Sequence, residues 1–592
     1  MFKDYYKKEL RLLRETAAEF AASNPGLAGL LKESSTDPDT ERLLEGFAFL
    51  TASIHRELDE QYPDFLYTLA QVVCPDYLRP MPSATLMTFE PRVNLNQTLR
   101  VPAGTLIDSR PVQTEVMSYE GRDAETCRFR TSFPVDVMPL RLTRAAYLDE
   151  EAVSAQSDRV ARIRLDFELL NTNLEDLHCE RLRLCLSGGF NEAADLFYLL
   201  NRWTTAVEIH TGGRRPARIL GPGAIEPVGF AADETLYQRA QPQIPAFALL
   251  QEYFLFPEKY LFVDIDLSDW TERAGGEAFS LVIETRMPEF PLPAVSREHI
   301  CLHATPAINL FPVETEPVRI DHHDHEIRLR VRSETGNPLP IFSVDRAESI
   351  ARGRKGRRQF TPMGQFNLQQ KQLSRFLVSY RPSENAEMMD TYLNLAFPES
   401  EPPTDREVLK ASVTCFNDAL PTALEPGDID QATMNTPELV TFRNLSVPSR
   451  GTRPLLNTEV LWHLLSDLSL NFSSLASSTT LKTLLAHYVP PDNEDERRYV
   501  ANQKRVDAIT AVHVVPRETL YRQSFIRGQQ VRVAVRGDYF ASEGDRYLFG
   551  CLLDLLFASS AGLNTFTQLV LEDSVSGAEL EWPIRLGLET LI

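Results

Sequence analysis

The chain has 592 residues, which exceeds the about 250–300 residues at which a single hydrophobic core stops growing, so about three or four domains are expected. A hydrophobic fraction of 43% is that of a globular protein and excludes disorder on a large scale. The formal net charge of −22 excludes a general nucleic-acid binder, because phosphate contacts need a basic face.

The first seventy residues carry the clearest helical pattern. Tyr6, Leu10, Leu13, Ala17 and Phe20 are spaced 4-3-4-3, the rhythm of a helix packing along a narrow seam, and Asn24-Pro25-Gly26 ends it. A second helix is expected to start near Asp39 or Thr40, with Leu43, Phe47, Leu50 and Ile54 repeating the 4-3-4 spacing. A third is expected from Pro63, where a missing N–H costs little in a first turn. Two readings follow: a local antiparallel bundle, or a seam that pairs with another chain. Two or three short helices bury little apolar surface alone. The nine seam residues are the candidate protein interface.

The segment CPDYLRPMPS (74–83) closes this region, and from Ala84 the period becomes two. TLMTFEP, TLRVPAGTLI, CRFRTSFPVDVMPLRL, RVARIRLDFELL and ERLRLCLSG read as strands, followed by a short amphipathic helix over Glu192–Asn201 and the strand AVEIHTGG. FLFPEKYLFVDID (254–266) reads as a further strand-rich piece. Residues 333–410 read as connecting and loop-rich, with LAFPESEPPTDRE the linker candidate. Beyond it come a strand in LKASVTCFND, helices around Trp462–Leu475 and in LKTLLAHYV, the alternating QQVRVAVRGDYF, the helix DRYLFGCLLDLLFASS and the strand TFTQLVLED. The expected fold class is α+β and multidomain: a helical segment over 1–83, β-rich domains with covering helices over 84–332, the connecting region 333–410, and an α+β domain over 411–592.

Little in the sequence points to catalysis or to a cofactor. DHHDHE (Asp321–Glu326) offers imidazoles and carboxylates, but consecutive residues on a strand alternate between faces, so a solvated turn is expected rather than a metal site. RGRKGRR (Arg352–Arg358) is the one dense basic run; its glycines make it a flexible loop that could meet an acidic partner. There is no GxSxG elbow, no GxxxxGK[ST] loop and no GxGxxG after a strand, and His55, His178, His210, His303 and His513 have no nucleophile motif beside them. Seven scattered cysteines without CxxC spacing fit a reduced, cytosolic compartment, with Cys185 in RLRLCL a small core residue. The N-terminus lacks an apolar signal region, and no window approaches about 18 uninterrupted apolar residues, so no membrane insertion is expected.

Several stretches together resemble one family. LYTLAQVVCPDYLRPMPSATL, with Pro75, Arg79, Pro80, Pro82 and Ser83 in a P-x-x-x-R-P-x-P-S arrangement, resembles the N-terminal signature of TssF (also called VasA or ImpG), a type VI secretion baseplate subunit. Collinear companions are MFKDYYKKEL, VPAGTLI, FLFPEKYLFVDI, YLNLAF, SVTCFNDALP, WHLLSDLSLNFSSL, the glycines from Gly537 to Gly550, and LNTFTQL. Within CFNDALP the chain departs from the family's Cys-Thr-Asn-Arg at Phe416 and Asp418. The resemblance implies a structural, non-enzymatic wedge subunit without cofactors, similar in fold to contractile phage baseplate wedge proteins. It implies assembly with TssG, a second TssF copy, TssK and TssE around the spike protein VgrG, to support assembly and contraction of the sheath. The implied place is cytoplasmic, at the inner face of the bacterial inner membrane and linked to it through TssK. A second class, an envelope-associated hydrolase beside the apparatus, would need a converging acid/base or metal set.

Overall fold

The computed structural model describes residues 2–23, 42–43, 45–56, 66, 69–70, 79–113, 123–148, 160–212, 216–237, 245–271, 273, 275–320, 326–351, 357–363, 374–383, 389–398, 407–453, 475–489, 496–521, 524–562 and 565–587. The chain divides into two compact units, one of Met1–Leu78 with Leu456–Leu465 and one of Arg79–Leu455 with Ser466–Ile592. The described part of the first unit is helical: Phe2–Ser23, then 42–43 with 45–56, then residues 66 and 69–70.

The second unit is strand-rich with few helices, which agrees with the expected mixed, multidomain α+β class. The run leaving Arg79 is extended, and its prolines keep it out of helical geometry. Met81 exchanges backbone hydrogen bonds with Thr452, and Asn309 N–H donates to Ser83 O. The Arg79 guanidinium lies 5.5 Å from the Phe342 ring centre. Ala84–Pro91 then enters a six-stranded sheet in the order Gln431–Ala432, Leu106–Val112, Glu125–Thr131, Ala304–Ile308, Ala84–Pro91, Val440–Asn444. Residues 411–453, grouped with the C-terminal part on sequence alone, thus send two strands back to the sheet that starts at Ala84.

A five-stranded sheet follows, ordered Arg218–Leu220, Thr204–His210, Ala278–Arg286, Val160–Leu169, Leu140–Tyr147. Beside it runs a four-stranded sheet, Ile225–Val228, Phe262–Asp266, Arg181–Leu186, Ile300–Leu302. His303 is the corner between sheets. It adopts φ of 52°, and the chain leaves Ile300–Leu302 for Ala304–Ile308 in the six-stranded sheet. A non-glycine residue tolerates that conformation only when its surroundings fix it. Here Phe89 N–H donates to His303 O, and Met138 N–H donates to Nε2. Burial pushes this imidazole down to about 4, so it is a neutral acceptor.

Two stretches differ from expectation. Residues 254–266 are not one strand-rich piece: Pro245–Leu255 is a helix, Pro257–Tyr260 a 3-10 turn, and the strand is confined to Phe262–Asp266. Tyr253, Phe254 and Tyr260 are wholly buried, so the run is apolar all round and shows no period by which helix and strand could be told apart. The stretch 333–410 is not loop-rich. It carries Ile341–Ala351, Arg358–Pro362, Arg375–Pro382 and Met389–Ala396, which join Glu407–Cys415 in a further sheet.

The C-terminal part pairs Ile509–Tyr521 with Ser524–Val535 as a long hairpin, and Ser524–Val535 runs parallel to Phe566–Asp573. The helix Glu543–Ser559 makes that parallel crossover, capped at its start by Ser542, whose Oγ accepts from Asp545 N–H. It lies so close to the helix Phe190–Tyr198 that a Cβ on Gly544 would sit 2.1 Å from Ala194 C. One core therefore runs from Ile163, Leu165 and Phe197 through Tyr253 to Val531, Leu548 and Leu569. Arg505 at its edge is bound by Asp545 at 2.9 Å, and a buried guanidinium needs such a partner.

Candidate assembly surface

The N-terminal helices show which way their seams face. In Phe2–Ser23, Glu9 is buried while Tyr6, Leu10 and Leu13 are half-buried. Ala17 and Phe20 belong to the helix, but their side chains lie outside the described residues. The buried carboxylate of Glu9 meets His55 Nδ1 at 2.7 Å, which ties this helix to the 42–56 stretch.

Along 42–56 the inward face is Ala48 and Ala52, both fully buried. Leu43, Phe47, Leu50 and Ile54 fall on the other side, at 68%, 60%, 61% and 58% exposure. Their spacing puts them in one row, because residues three and four apart share a helix face. Small residues are inside and large apolar ones outside, the reverse of an amphipathic helix that finishes its packing within its own chain. Of the nine residues expected to form the seam, the second row is laid bare and the described part of the first is half-covered.

The other sequence candidates resolve into structural roles or fall outside the described residues. Residues 321–325 of DHHDHE are outside; Glu326 pairs with Arg381 at 2.7 Å. Among the described residues no group of three or more His, Cys, Asp or Glu is placed to hold a metal ion. Residues 352–356 of the basic run are also outside. Arg357 pairs with Glu348 at 2.7 Å, and the buried Arg358 lies 3.2 Å from Glu407 with its guanidinium over Phe397. Arg358 is thus a sheet-core cation, which its neighbours in the sequence hide.

Burial pushes the thiols of Cys127, Cys179, Cys415 and Cys551 up to about 12, and that of Cys185 well above its ordinary value. A nucleophilic cysteine is shifted the other way. His210 sits 3.0 Å from Glu208 on one strand. Phe416 is buried in the core, and Asp418, at φ of 46°, pairs with Arg453 at 3.1 Å. The side chains at which the chain departs from the family pattern therefore have structural partners. Among the described residues no helix is long and apolar enough to cross a membrane.

The family model for TssF of the type VI secretion system matches residues 1–589. The type VI secretion system component TssF1 of Pseudomonas aeruginosa is 27% identical, with 99% of this chain and 98% of that protein aligned. A cryo-electron microscopy structure described as the TssK-TssF-TssG baseplate subcomplex of the type VI secretion system contains a chain similar at a TM-score of 0.74 and 26% identity, covering 93% of this chain and 99% of that one. A chain in a structure described as the baseplate complex from the type VI secretion system shares the fold at a TM-score of 0.60 and 22% identity over the full length of both chains.

Proposed function

The chain belongs to the TssF family of the type VI secretion system, and we propose that it is a structural subunit of the secretion baseplate. Its solved relative stands in a complex with TssK and TssG. By that likeness the partners of this chain are a TssG-type protein and a TssK-type protein, with a second copy of itself and contacts to TssE and the spike protein VgrG as the finer reading. Its place is the cytoplasmic face of the inner membrane. Its work is done by contacts rather than by catalysis, a reading supported by thiols that burial protonates and arginines paired within the core.

The observation that carries this reading is the outward row Leu43, Phe47, Leu50 and Ile54 on a helix whose inner face is alanine. We assign that row to the TssG-type partner, with Tyr6, Leu10, Leu13, Ala17 and Phe20 as the seam of the companion helix. Burying each large apolar side chain yields about 1.5–3 kcal/mol. Association costs roughly 4–15 kcal/mol, so one row of four is of the same size as the cost, and a stable complex needs both seams. The test is co-expression of the full chain with the TssG-type protein of its own secretion cluster and mass measurement of the purified complex. Phe47→Asp with Leu50→Asp is expected to abolish co-purification while the second unit keeps its Tm. A complex of unchanged mass and yield would remove this surface from the assembly.

A further inference from the structure

Three sheets end against one another around a single cleft of about 660 Å3. Leu140–Tyr147 is the edge of the five-stranded sheet, Ile300–Leu302 the edge of the four-stranded sheet, and Val440–Asn444 the edge of the six-stranded sheet. Phe89, Leu142, Ile300 and His303 line the cleft with their side chains turned into the cores, so these strands present mainly backbone to it. The volume lies within the range of about 300–1,000 Å3 usual for ligand pockets.

The rim is cationic. Arg92, Arg141 and Arg297 are exposed around the mouth, and among the described residues none of them has a carboxylate partner. Arg443 also lines the cleft and is held by Glu90 at 3.2 Å. In a chain with 83 acidic and 61 basic side chains, carboxylates to pair with are plentiful, yet three arginines at one cleft lack them. The one carboxylate among the lining residues, Glu90, is taken up by Arg443, so the cleft keeps a net positive charge that an anion would offset.

We propose that this cleft binds an extended, acidic segment of a partner protein, which adds as a strand to a free sheet edge. Its carboxylates meet the guanidiniums of Arg92, Arg141 and Arg297, where planar, bidentate pairing is the strong mode. Alternate positions put its carboxylates on one face, toward the arginines, since successive residues of a strand face opposite ways. Its backbone pairs with an unfilled edge, the mode of strand addition. A nucleic acid fits less well. The patch is confined to one cleft, whereas a phosphate backbone needs an extended basic face, and the chain around it is strongly acidic. The site shares no residue with the N-terminal seam.

The test uses the full chain and a fluorescein-labelled octapeptide of alternating glutamate and leucine, followed by anisotropy at low salt. Saturable binding is expected, weakened at least tenfold in the triple variant Arg92→Ala, Arg141→Ala, Arg297→Ala with Tm unchanged, and weakened by raised salt. All three side chains are exposed, so the variant is expected to fold. No saturable binding, or equal binding by the variant, would overturn the site. Equal affinity for a block peptide of four glutamates followed by four leucines would overturn the strand-addition mode. Displacement by a single-stranded DNA of the same charge at equal concentration would reassign the cleft to nucleic acid and overturn the proposal.

Discussion

His55 Nδ1 sits 2.7 Å from Glu9 Oε1, and this contact joins the helix Phe2–Ser23 to the 42–56 stretch. Glu9 is buried and His55 exposed, so the pair marks the boundary where the two helices close on each other. It also fixes the rotation of the second helix. With His55, Ala48 and Ala52 on the inner side, Leu43, Phe47, Leu50 and Ile54 are turned outward.

Glu9→Ala is therefore expected to loosen this helix pair. His55 is half exposed and can turn to water, so the loss is that of one ordinary hydrogen bond, about 0.5–1.5 kcal/mol. Hydrogen exchange over residues 2–23 and 45–56 is expected to speed up while the strands of the second unit keep their protection. Unchanged exchange in both helices would show that the contact does not hold them.

The approach of two helices at Gly544 gives a packing prediction. A methyl group there would overlap Ala194 C at 2.1 Å, and Gly544 N–H donates to Asp195 Oδ1 at 2.7 Å. Both neighbours are backbone or fixed by it, so the clash is not relieved by a rotamer change. Gly544→Ala is expected to destabilise by about 3 kcal/mol, the upper end for overpacking, read as a fall in Tm. Gly223→Ala, where a Cβ meets nothing within 4 Å, is the control expected to leave Tm in place.

Asp554 supplies a pH dependence. Its side chain is buried on the helix Glu543–Ser559, and burial pushes its pKa up to about 6 although Arg585 donates to its Oδ2. The folded value lies above the unfolded one of about 3.9, so the folded state holds the proton more tightly. That contribution is present in full below pH 4 and is lost as pH rises through 6. Asp554→Asn mimics the protonated form, and at pH 7 it is expected to be more stable than the wild type by up to about 3 kcal/mol. The gap should close toward pH 4; a gap that persists there would contradict the assignment.

The local periods of this chain are legible and its long-range pairings are not. The alternation of RVARIRLDFELL gives the strand Val160–Leu169, and DRYLFGCLLDLLFASS gives the helix Glu543–Ser559 to within two residues at its start. No local rule places Val440–Asn444 beside Ala84–Pro91, about 350 residues earlier, because register between distant strands is set by the core they share. Arg358 reads as part of a solvated basic loop, and only the buried Glu407 across the sheet gives it a place inside. At the candidate surface the 4-3-4 spacing is visible, but its outward direction depends on Ala48, Ala52 and the Glu9–His55 contact. The arginine-rimmed cleft left no trace at all, since Arg92, Arg141 and Arg297 are far apart in the sequence and meet only where three sheets end.

The most direct test of the central claim needs no mutation. Hydroxyl-radical labelling of Leu43, Phe47, Leu50 and Ile54 is to be compared between the free chain and its purified complex with the TssG-type partner. Labelling of all four residues is predicted to be high in the free chain and to fall at least fivefold in the complex, with Val447 and Val575 on the second unit as exposed references. Equal labelling of the four residues in both states would contradict the account.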